Sequence, residues 1–357
     1  MLGVVHSSVV ANQGGQPPHV SDLLGNLEAY IRTLPNADVR VVLGQSPLTD
    51  ETPMRADAEA NQGGRDLAEG DMRAIEIGAP VSGRFTCFMD GMQRPRGPIY
   101  INAPVPIIYG YVAAAIRVRG SDRRMRTLAG FHEIDEALYF PRKLAERHGL
   151  AITGVRFVDT GDDETIEHPL ALAQAAHDKI STVRGSLESA LASRWVAAQG
   201  ASDDWLLIDG SLQSDYGEAA NIVGVTKSHG TQYLTWDEQR VVLGLKVGER
   251  SGAFVPIVRS RRRPVYSWYL RMHASEGKDV YFGLIRVEAP RGARALGMVD
   301  EISRWLLAER APLSLPDARW DKMIYPIRDC EQFMKSLAPS HTSLDARLMR
   351  LGSLGSV

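Results

Sequence analysis

The chain has 357 residues, of which 44% are hydrophobic and 24% charged, and its formal net charge is −2. These values are typical of a soluble globular protein and exclude a globally basic nucleic-acid binder. The two cysteines, Cys87 and Cys330, cannot form a disulfide framework, and no C-x-x-C pair indicates zinc. No apolar run approaches the ~20 residues of a membrane helix, and the N-terminus lacks signal-peptide features. We therefore expect a cytoplasmic protein.

The predicted elements divide the chain into three parts. Residues 1–80 predict a helical and flexible arm, because one amphipathic segment lies between polar, glycine-rich stretches. Residues 81–338 contain apolar runs typical of strands, a long segment of helical spacing from about 167 to 198, and two closing helices. The first of these runs predict two or three sequential antiparallel strands, and VYSWYLRMHA and VYFGLIRVEAP predict a hairpin or a neighbouring pair around SEGKD. Residues 339–357 are expected to form a loosely ordered tail. Strands first, then a helix, then further strands and helices predict an α/β domain with a mixed central sheet flanked by helices.

Two predicted strands end in the same way, with an aspartate followed by glycine. These are CFMDG, which contains Asp90, and LLIDG, which contains Asp209. If the two strands are neighbours, the carboxylates converge at one edge of the sheet and repel each other, and a divalent cation relieves that repulsion. Oxygen ligands suit Mg²⁺ or Mn²⁺ better than zinc. The structural alternative is that each Asp-Gly pair simply forms a turn.

A third acid strengthens the prediction of a cation site. Glu188 lies on the long predicted helix, one position past an apolar stripe residue, so a helix packed on the sheet would aim its carboxylate at the sheet edge. Its structural alternative is a solvated helix glutamate that pairs with Arg184, one turn earlier.

The order of these motifs resembles that of the NurA nuclease family. The shared pattern is a strand ending in Asp-Gly, Arg-x-x-x-Glu on a helix, LLIDGSL, IVGVTKS, a tyrosine-bearing strand and an IRVEAP strand, and it spans roughly residues 84–335. The resemblance implies a ribonuclease H-like fold and Mn²⁺- or Mg²⁺-dependent DNA nuclease activity. It also implies a homodimer that works with HerA, a hexameric DNA-translocating ATPase, in DNA-end repair or antiviral defence.

The resemblance also implies roles for individual residues. The positions that correspond to the family's metal-binding acids are Asp90, Glu188 and Asp209. Lys227 corresponds to a lysine commonly found in the family, and a cation there would hold the scissile phosphate, although a solvated turn lysine is the alternative. Tyr269 is our choice for the tyrosine that the family places near the metals, and Tyr266 is its close rival.

The sequence departs from the family pattern in one place. The family often carries a histidine near the site on a C-terminal helix, and the corresponding segment PLSLPDARWDKMIYP has none. Asp317, Asp321 or Tyr325 would then substitute, or the position is lost. His229, next to the lysine motif, is interpreted as a surface turn residue rather than a general base.

Two arginine clusters are candidates for DNA-backbone contacts, because neutralising phosphates drives non-specific affinity. The denser cluster, in RSRRRP, comprises Arg259, Arg261, Arg262 and Arg263. The second comprises Arg117, Arg119, Arg123, Arg124 and Arg126. The alternative for each is a solvated loop.

The sequence therefore favours a metal-dependent deoxyribonuclease in which a two-metal-type mechanism hydrolyses phosphodiester bonds. It contains no G-x-x-x-x-G-K-[ST] motif, which excludes a P-loop motor and fits dependence on a separate ATPase. The alternative is a catalytically silent DNA-binding or ATPase-partner module on the same fold, which the missing histidine favours. A third possibility, an unrelated α/β hydrolytic enzyme, lacks support because no G-x-S-x-G motif occurs.

Overall fold

The computed structural model describes residues 22–43, 63–102, 104–161, 168–199, 203–258, 261–310 and 320–354. Within these ranges, 14 strands join one mixed sheet, and helices cover both of its faces. The predicted α/β domain, with a mixed sheet flanked by helices, is therefore confirmed.

The described ranges contain 14 strands, eight α-helices and one 3₁₀ turn. The strands are β1 (Val39–Val41), β2 (Gly64–Leu67), β3 (Ala74–Glu76), β4 (Phe85–Ile101), β5 (Ile107–Arg119), β6 (Met125–Phe140), β7 (Phe157–Asp159), β8 (Trp205–Asp209), β9 (Ile222–Thr226), β10 (Glu249–Ser251), β11 (Phe254–Val258), β12 (Arg261–Arg262), β13 (Val265–Arg271) and β14 (Leu284–Pro290). The helices are α1 (Leu23–Ile31), α2 (Arg142–Arg147), α3 (Pro169–Gln199), α4 (Trp236–Leu243), α5 (Ala293–Gly297), α6 (Val299–Glu309), a 3₁₀ turn (Trp320–Lys322), α7 (Tyr325–Leu337) and α8 (His341–Ser353). None of the helices in the described ranges is both long and apolar enough to cross a membrane.

Three long antiparallel strands, β4, β5 and β6, form one half of the sheet. The central strand β5 reads IIYGYVAAAIRVR, and its first ten residues are buried. Such a continuous apolar run indicates a strand covered on both faces, and helices do pack on each side of it. The sequential antiparallel strands predicted from the sequence are therefore present.

Helix α3 connects this half to a parallel centre. After α3 the chain enters β8, which runs parallel to β4, and then β9, which runs parallel to β8. Strands β13 and β14 follow as an antiparallel pair, as their sequences predicted, and β14 lies beside β9. The strand order is β12-β11-β13-β14-β9-β8-β4-β5-β6-β7.

The two faces of the parallel centre bury different helices. Cys87, Met89, Leu206 and Ile208 pack with Leu191, Ala192 and Trp195 of α3. Their neighbours along the strands, Phe88 and Leu207 among them, pack on the opposite face with side chains of α6 and α7. Because side chains alternate across a strand, these two sets fix which face each later residue occupies.

The sequence predicted Asp90 at the end of a strand, but the structure places it inside one. It is the sixth of the 17 residues of β4, and Gly91 after it pairs with Ala114 of β5. The strand continues because β5 pairs with it from Gly91 to Arg96 and again at Ile99, so the Asp-Gly pair forms no turn here. Asp209 is the last residue of β8, as predicted.

The described segments before residue 81 differ from the expected separate arm. Strand β1 pairs with β4, β2 with β11 and β3 with β10, so each extends the main sheet. The chain end also differs from the expected loose tail, because α8 buries Leu344, Leu348 and Leu351 against α1 and β1. In both segments apolar side chains pack against other elements of the domain, which a free arm or tail would not allow.

Candidate functional site

The carboxylates of Asp90 and Asp209 extend from neighbouring parallel strands. Met89 of β4 pairs with Ile208 of β8, so the two aspartates follow side by side in register. Phe88 and Leu207, two residues earlier, face α6 and α7, and alternation places both aspartates on that same face. The order of the strands therefore brings together two acids that are more than one hundred residues apart in sequence.

Glu188 reaches the same place from the other face of the sheet. It lies on α3, and its carboxylate stands directly over Gly91: a Cβ built on this glycine would be 1.8 Å from Glu188 Oε1. The absence of a side chain at Gly91 is thus what admits the third carboxylate beside Asp90. Arg184 lies 3.5 Å from the Glu188 carboxylate, measured from Nε to Oε1, which is the ion pair that the sequence offered as an alternative.

The pKa values of Asp90 and Glu188 reflect burial and repulsion between the acids. Burial, and then the negative charge of Asp209, raise the pKa of Asp90 to about 8, and Glu188 adds a smaller effect in the same direction. Burial is also the main cause that raises the pKa of Glu188, and Asp209 contributes to it. The nearby Lys227 ammonium acts in the opposite direction on Asp90. Negative charge on all three acids at once is therefore unfavourable where they meet.

Lys227 neutralises part of that charge. Its Nζ donates to Asp209 Oδ2 at 2.8 Å, and both side chains are largely buried. Lys227 follows Val225, the strand partner of Asp209, by two residues, so alternation places the ammonium on the face of the two aspartates. The Lys322 ammonium from the 3₁₀ turn donates to the Lys227 backbone oxygen at 3.5 Å.

The donor set fits a hard divalent cation in its chemistry. Three carboxylates with mutual repulsion provide the oxygen ligands that Mg²⁺ and Mn²⁺ prefer. Within the described part of the chain, however, no three His, Cys, Asp or Glu side chains are arranged closely enough to hold a metal ion. Two features keep the three carboxylates apart. The Lys227 ammonium pairs with Asp209, and Glu188 approaches from the opposite face of the sheet.

Neither candidate tyrosine lies with the acids. Tyr269 faces away from Asp90 and Asp209: its ring stacks on Phe254 at 6.0 Å, and burial raises its pKa to about 12. Tyr266 packs on the α6 and α7 side of the sheet, which is the side of the two aspartates. It pairs with Ala289, however, two residues along β14 from Val287, which lies in the row of Asp209. Both tyrosines lie on β13, where the sequence predicted a tyrosine-bearing strand, and strand register decides which face and row they occupy.

His229 is a packed residue rather than the predicted surface turn residue. Its ring stacks on Tyr281 at 5.1 Å, and its Nε2 is 3.0 Å from the Leu284 carbonyl oxygen. Burial lowers the pKa of His229 to about 4, so the ring is neutral at physiological pH.

The segment that lacks the family's histidine lies partly beside the acids. Asp321 is buried and accepts a hydrogen bond from the Gly283 backbone, which makes it a structural residue. Tyr325 is half-exposed at the start of α7. Asp317 is outside the described residues.

The arginine cluster of RSRRRP separates into two environments. Arg263 turns inward and donates to the buried Glu288 at 2.7 Å, so it is not available to a DNA backbone. Arg262 is exposed and pairs with Asp66. Arg261 lies in β12, and Arg259 is outside the described residues.

The second arginine cluster is likewise divided. Arg117 pairs with Asp329, and Arg119 pairs with Glu309, so both connect the sheet to its covering helices. The cluster's other members, at or near the β5–β6 turn, are all exposed: Arg123, Arg124 and Arg126.

Sequence reasoning missed one group of charged residues next to the site. Arg286 and Glu288 are buried in β14 and bind the turn that follows Asp209. The available signal was two charges at alternate positions of an otherwise apolar strand, LIRVEAP. Buried charges occur where they are paired, so this pattern indicates an internal ion network.

Comparisons with known proteins give limited information. No protein-family model matches the chain, and no curated protein matches it. The chain is similar to a solved structure, the NurA nuclease from Sulfolobus solfataricus, with 16% identity over 78% of this chain and 86% of that chain, and a TM-score of 0.43. A similarity of this size does not establish a family, so function is inferred from the side chains.

Proposed function

We propose that the chain is a Mn²⁺- or Mg²⁺-dependent DNA nuclease. The observation that carries the proposal is the meeting of Asp90, Glu188 and Asp209, which come from two adjacent strands and a helix and of which the last two raise the pKa of Asp90. Three such carboxylates repel one another, Lys227 offsets only part of that repulsion, and a bound divalent cation would offset more of it. A phosphodiester nuclease uses such cations.

The proposed ribonuclease H-like core comprises β4, β5, β6, β8 and β9. Its support is the topology: three antiparallel strands in chain order, a crossing helix, and then two strands parallel to the first. The functional acids would be carried by the first strand, the helix and the fourth strand.

In this proposal the chain's own side chains have distinct tasks. Asp90, Asp209 and Glu188 would hold the cation, which when bound supplies positive charge that stabilises the transition state of phosphodiester hydrolysis. Lys227 would release Asp209 and turn to the scissile phosphate, because its ammonium is the nearest positive group on that face. A HerA-type hexameric ATPase, and a second copy of this chain, are the proposed partners.

The test compares single substitutions of the acids. D209N and D90N, incubated with linear single- and double-stranded DNA and Mn²⁺, are expected to lose more than ~100-fold in cleavage rate, because each removes a ligand. E133Q is the matched control, since Glu133 on β6 is an ordinary carboxylate paired with Arg194. If the wild-type protein shows no metal-dependent cleavage, alone or with a HerA-type ATPase, the proposal fails.

A second candidate function is a DNA-binding or ATPase-partner module without catalysis. The observation that favours it is the ion pair between Lys227 and Asp209, in which an internal ammonium takes the place that a cation would need. A wild-type protein that binds DNA, cleaves none, and gains no stability from Mn²⁺ would support this candidate.

A further inference from the structure

A network of buried charges lies behind Asp209, on the opposite face of the sheet. Its centre is Glu288 of β14, whose side chain is completely buried. Glu288 Oε1 accepts hydrogen bonds from Arg263 Nη1, at 2.7 Å, and from Arg286. The Arg286 guanidinium also lies over the ring of Tyr233, 5.2 Å from its centroid.

This network binds the backbone of the turn that follows Asp209. The Leu212 N–H donates to Glu288 Oε2 at 2.8 Å, and the Leu212 carbonyl accepts from Arg263. Arg286 Nη2 donates to Ser211 Oγ at 3.1 Å, and Ser211 Oγ lies 3.1 Å from the hydroxyl of Thr226. Both backbone polar groups of Leu212 and the side chain of Ser211 are thus held by three charged residues.

The start of the turn is fixed as well. The Gly210 N–H donates to the Val225 carbonyl at 2.8 Å, and Gly210 adopts a φ of +122° that favours glycine. Asp209 is therefore followed by three residues that each have a defined anchor.

We propose that Arg263, Arg286 and Glu288 are positioning residues that fix the direction of the Asp209 carboxylate, an inference that rests on the proposed nuclease function. The three do not touch a substrate, because they face away from the acids. They act through Ser211 and Leu212 on the strand end that carries Asp209.

The energetic cost of the network supports this role. A buried ion network is often no more stabilising than apolar side chains of similar volume, because the charges lose their hydration. Apolar side chains, however, cannot bind the N–H and carbonyl of Leu212. Charged groups at this place therefore fix the geometry of the turn and do not only add stability. A metal ligand needs contacts of this kind around it, because they fix its orientation.

The test uses R286Q and a control at another buried arginine. Arg271 is the control, because it is also fully buried but donates to backbone carbonyls far from the turn, those of Leu243, Leu245, Val280 and Phe282. S211A is the second variant, since it removes one anchor without removing a buried charge. Three quantities are measured: the melting temperature, the amide hydrogen exchange of Leu212, and the Mn²⁺ affinity by electron paramagnetic resonance.

R286Q and R271Q are both expected to lower the melting temperature. R286Q and S211A alone are expected to accelerate exchange at Leu212 and to weaken Mn²⁺ binding ~10-fold or more. R286K is expected to restore part of the Mn²⁺ affinity. Equal Mn²⁺ affinities in R286Q and R271Q would overturn the inference.

Failure of the proposed function gives a different result. If the wild-type protein binds no Mn²⁺, the nuclease proposal fails, and the exchange measurement alone decides the positioning role. Unchanged exchange at Leu212 in both R286Q and S211A would then overturn it. If R286Q does not fold, S211A carries the test.

Discussion

At the residue scale, the candidate site depends on a position that has no side chain. Gly91 lies in the middle of a long strand, where glycine is unfavourable, and a Cβ there would meet Glu188 Oε1 at 1.8 Å. The atoms that an added Cβ would meet belong to the end of the flexible Glu188 side chain and not to the backbone. A larger residue should therefore displace the carboxylate rather than unfold the strand.

G91A is expected to fold normally and to lose DNA cleavage by ~10-fold or more, because Glu188 moves away from Asp90. G185A is the matched control on α3, where an added Cβ meets nothing within 4 Å. It should retain activity and gain up to ~1 kcal/mol in unfolding free energy, since alanine is the better helix former. Denaturant unfolding and a cleavage assay measure both effects. Full activity in G91A would show that Glu188 is not needed near Gly91.

The raised pKa of Asp90 predicts a pH dependence of stability. Its pKa is about 8 in the folded protein and 3.8 in the unfolded chain, so the folded state holds the proton more tightly. The resulting stability is complete below about pH 4 and is lost progressively as the pH rises through about 8. D90N cannot ionise and keeps its stability over this range.

Urea unfolding of wild type and D90N with a chelator present, at several values between pH 4 and pH 9, measures this difference. The unfolding free energy of the wild type is expected to fall relative to that of D90N as the pH rises, and to stop falling above about pH 8. Parallel curves for the two proteins would contradict a raised pKa at Asp90.

At the element scale, helix α8 holds the chain end to the sheet. Leu344, Leu348 and Leu351 are buried against α1 and β1. L348A is expected to reduce the unfolding free energy by ~2–5 kcal/mol, because a fully buried leucine leaves a cavity. M349A, on the exposed side of the same helix, should change it by less than ~0.5 kcal/mol. Equal unfolding midpoints in denaturant would show that α8 does not contribute to the core.

Much of the element pattern was available in the sequence. WLLID was recognised as a buried strand and the segment to about residue 198 as a helix, because apolar spacing determines both. Helix α8 was missed although Leu344, Leu348 and Leu351 recur at helical spacing after Ser340, which caps the helix. The leucine spacing predicts a helix here, but the position near the chain end favoured the interpretation as a loosely ordered tail.

Other features had no readable signal. The sequence of β4 contains a turn-forming Asp-Gly pair, and only its pairing with β5 shows that the strand continues. The face of Tyr269 follows from strand register, which a shift of one residue would reverse. Arg263 lies between β12 and β13, and its inward direction follows from its pairing with Glu288. Sequence spacing therefore identified Asp90, Glu188 and Asp209 as a group but could not tell which aromatic and basic residues share their face.

At the scale of the whole molecule, the three described strands before residue 81 belong to the sheet. They extend it at three separate strands, and Glu69 forms a buried ion pair with Arg250, 2.7 Å from Glu69 Oε2 to Arg250 Nη1. The same carboxylate accepts from the Ala253 N–H at 2.6 Å. Contacts of this kind make the early chain part of one cooperative unit with the later strands, rather than an appendage.

The ammonium of Lys227 beside Asp209 has a consequence for how the molecule matures. Because Lys227 already supplies a counter-charge to Asp209, we expect the fold not to depend on divalent cations, unlike small domains that unfold when chelated. Excess chelator is expected to leave the melting temperature unchanged, while added Mn²⁺ should raise it by mass action. Synthesis and cation loading would thus be separate events, so that a cell poor in manganese would accumulate intact but idle protein.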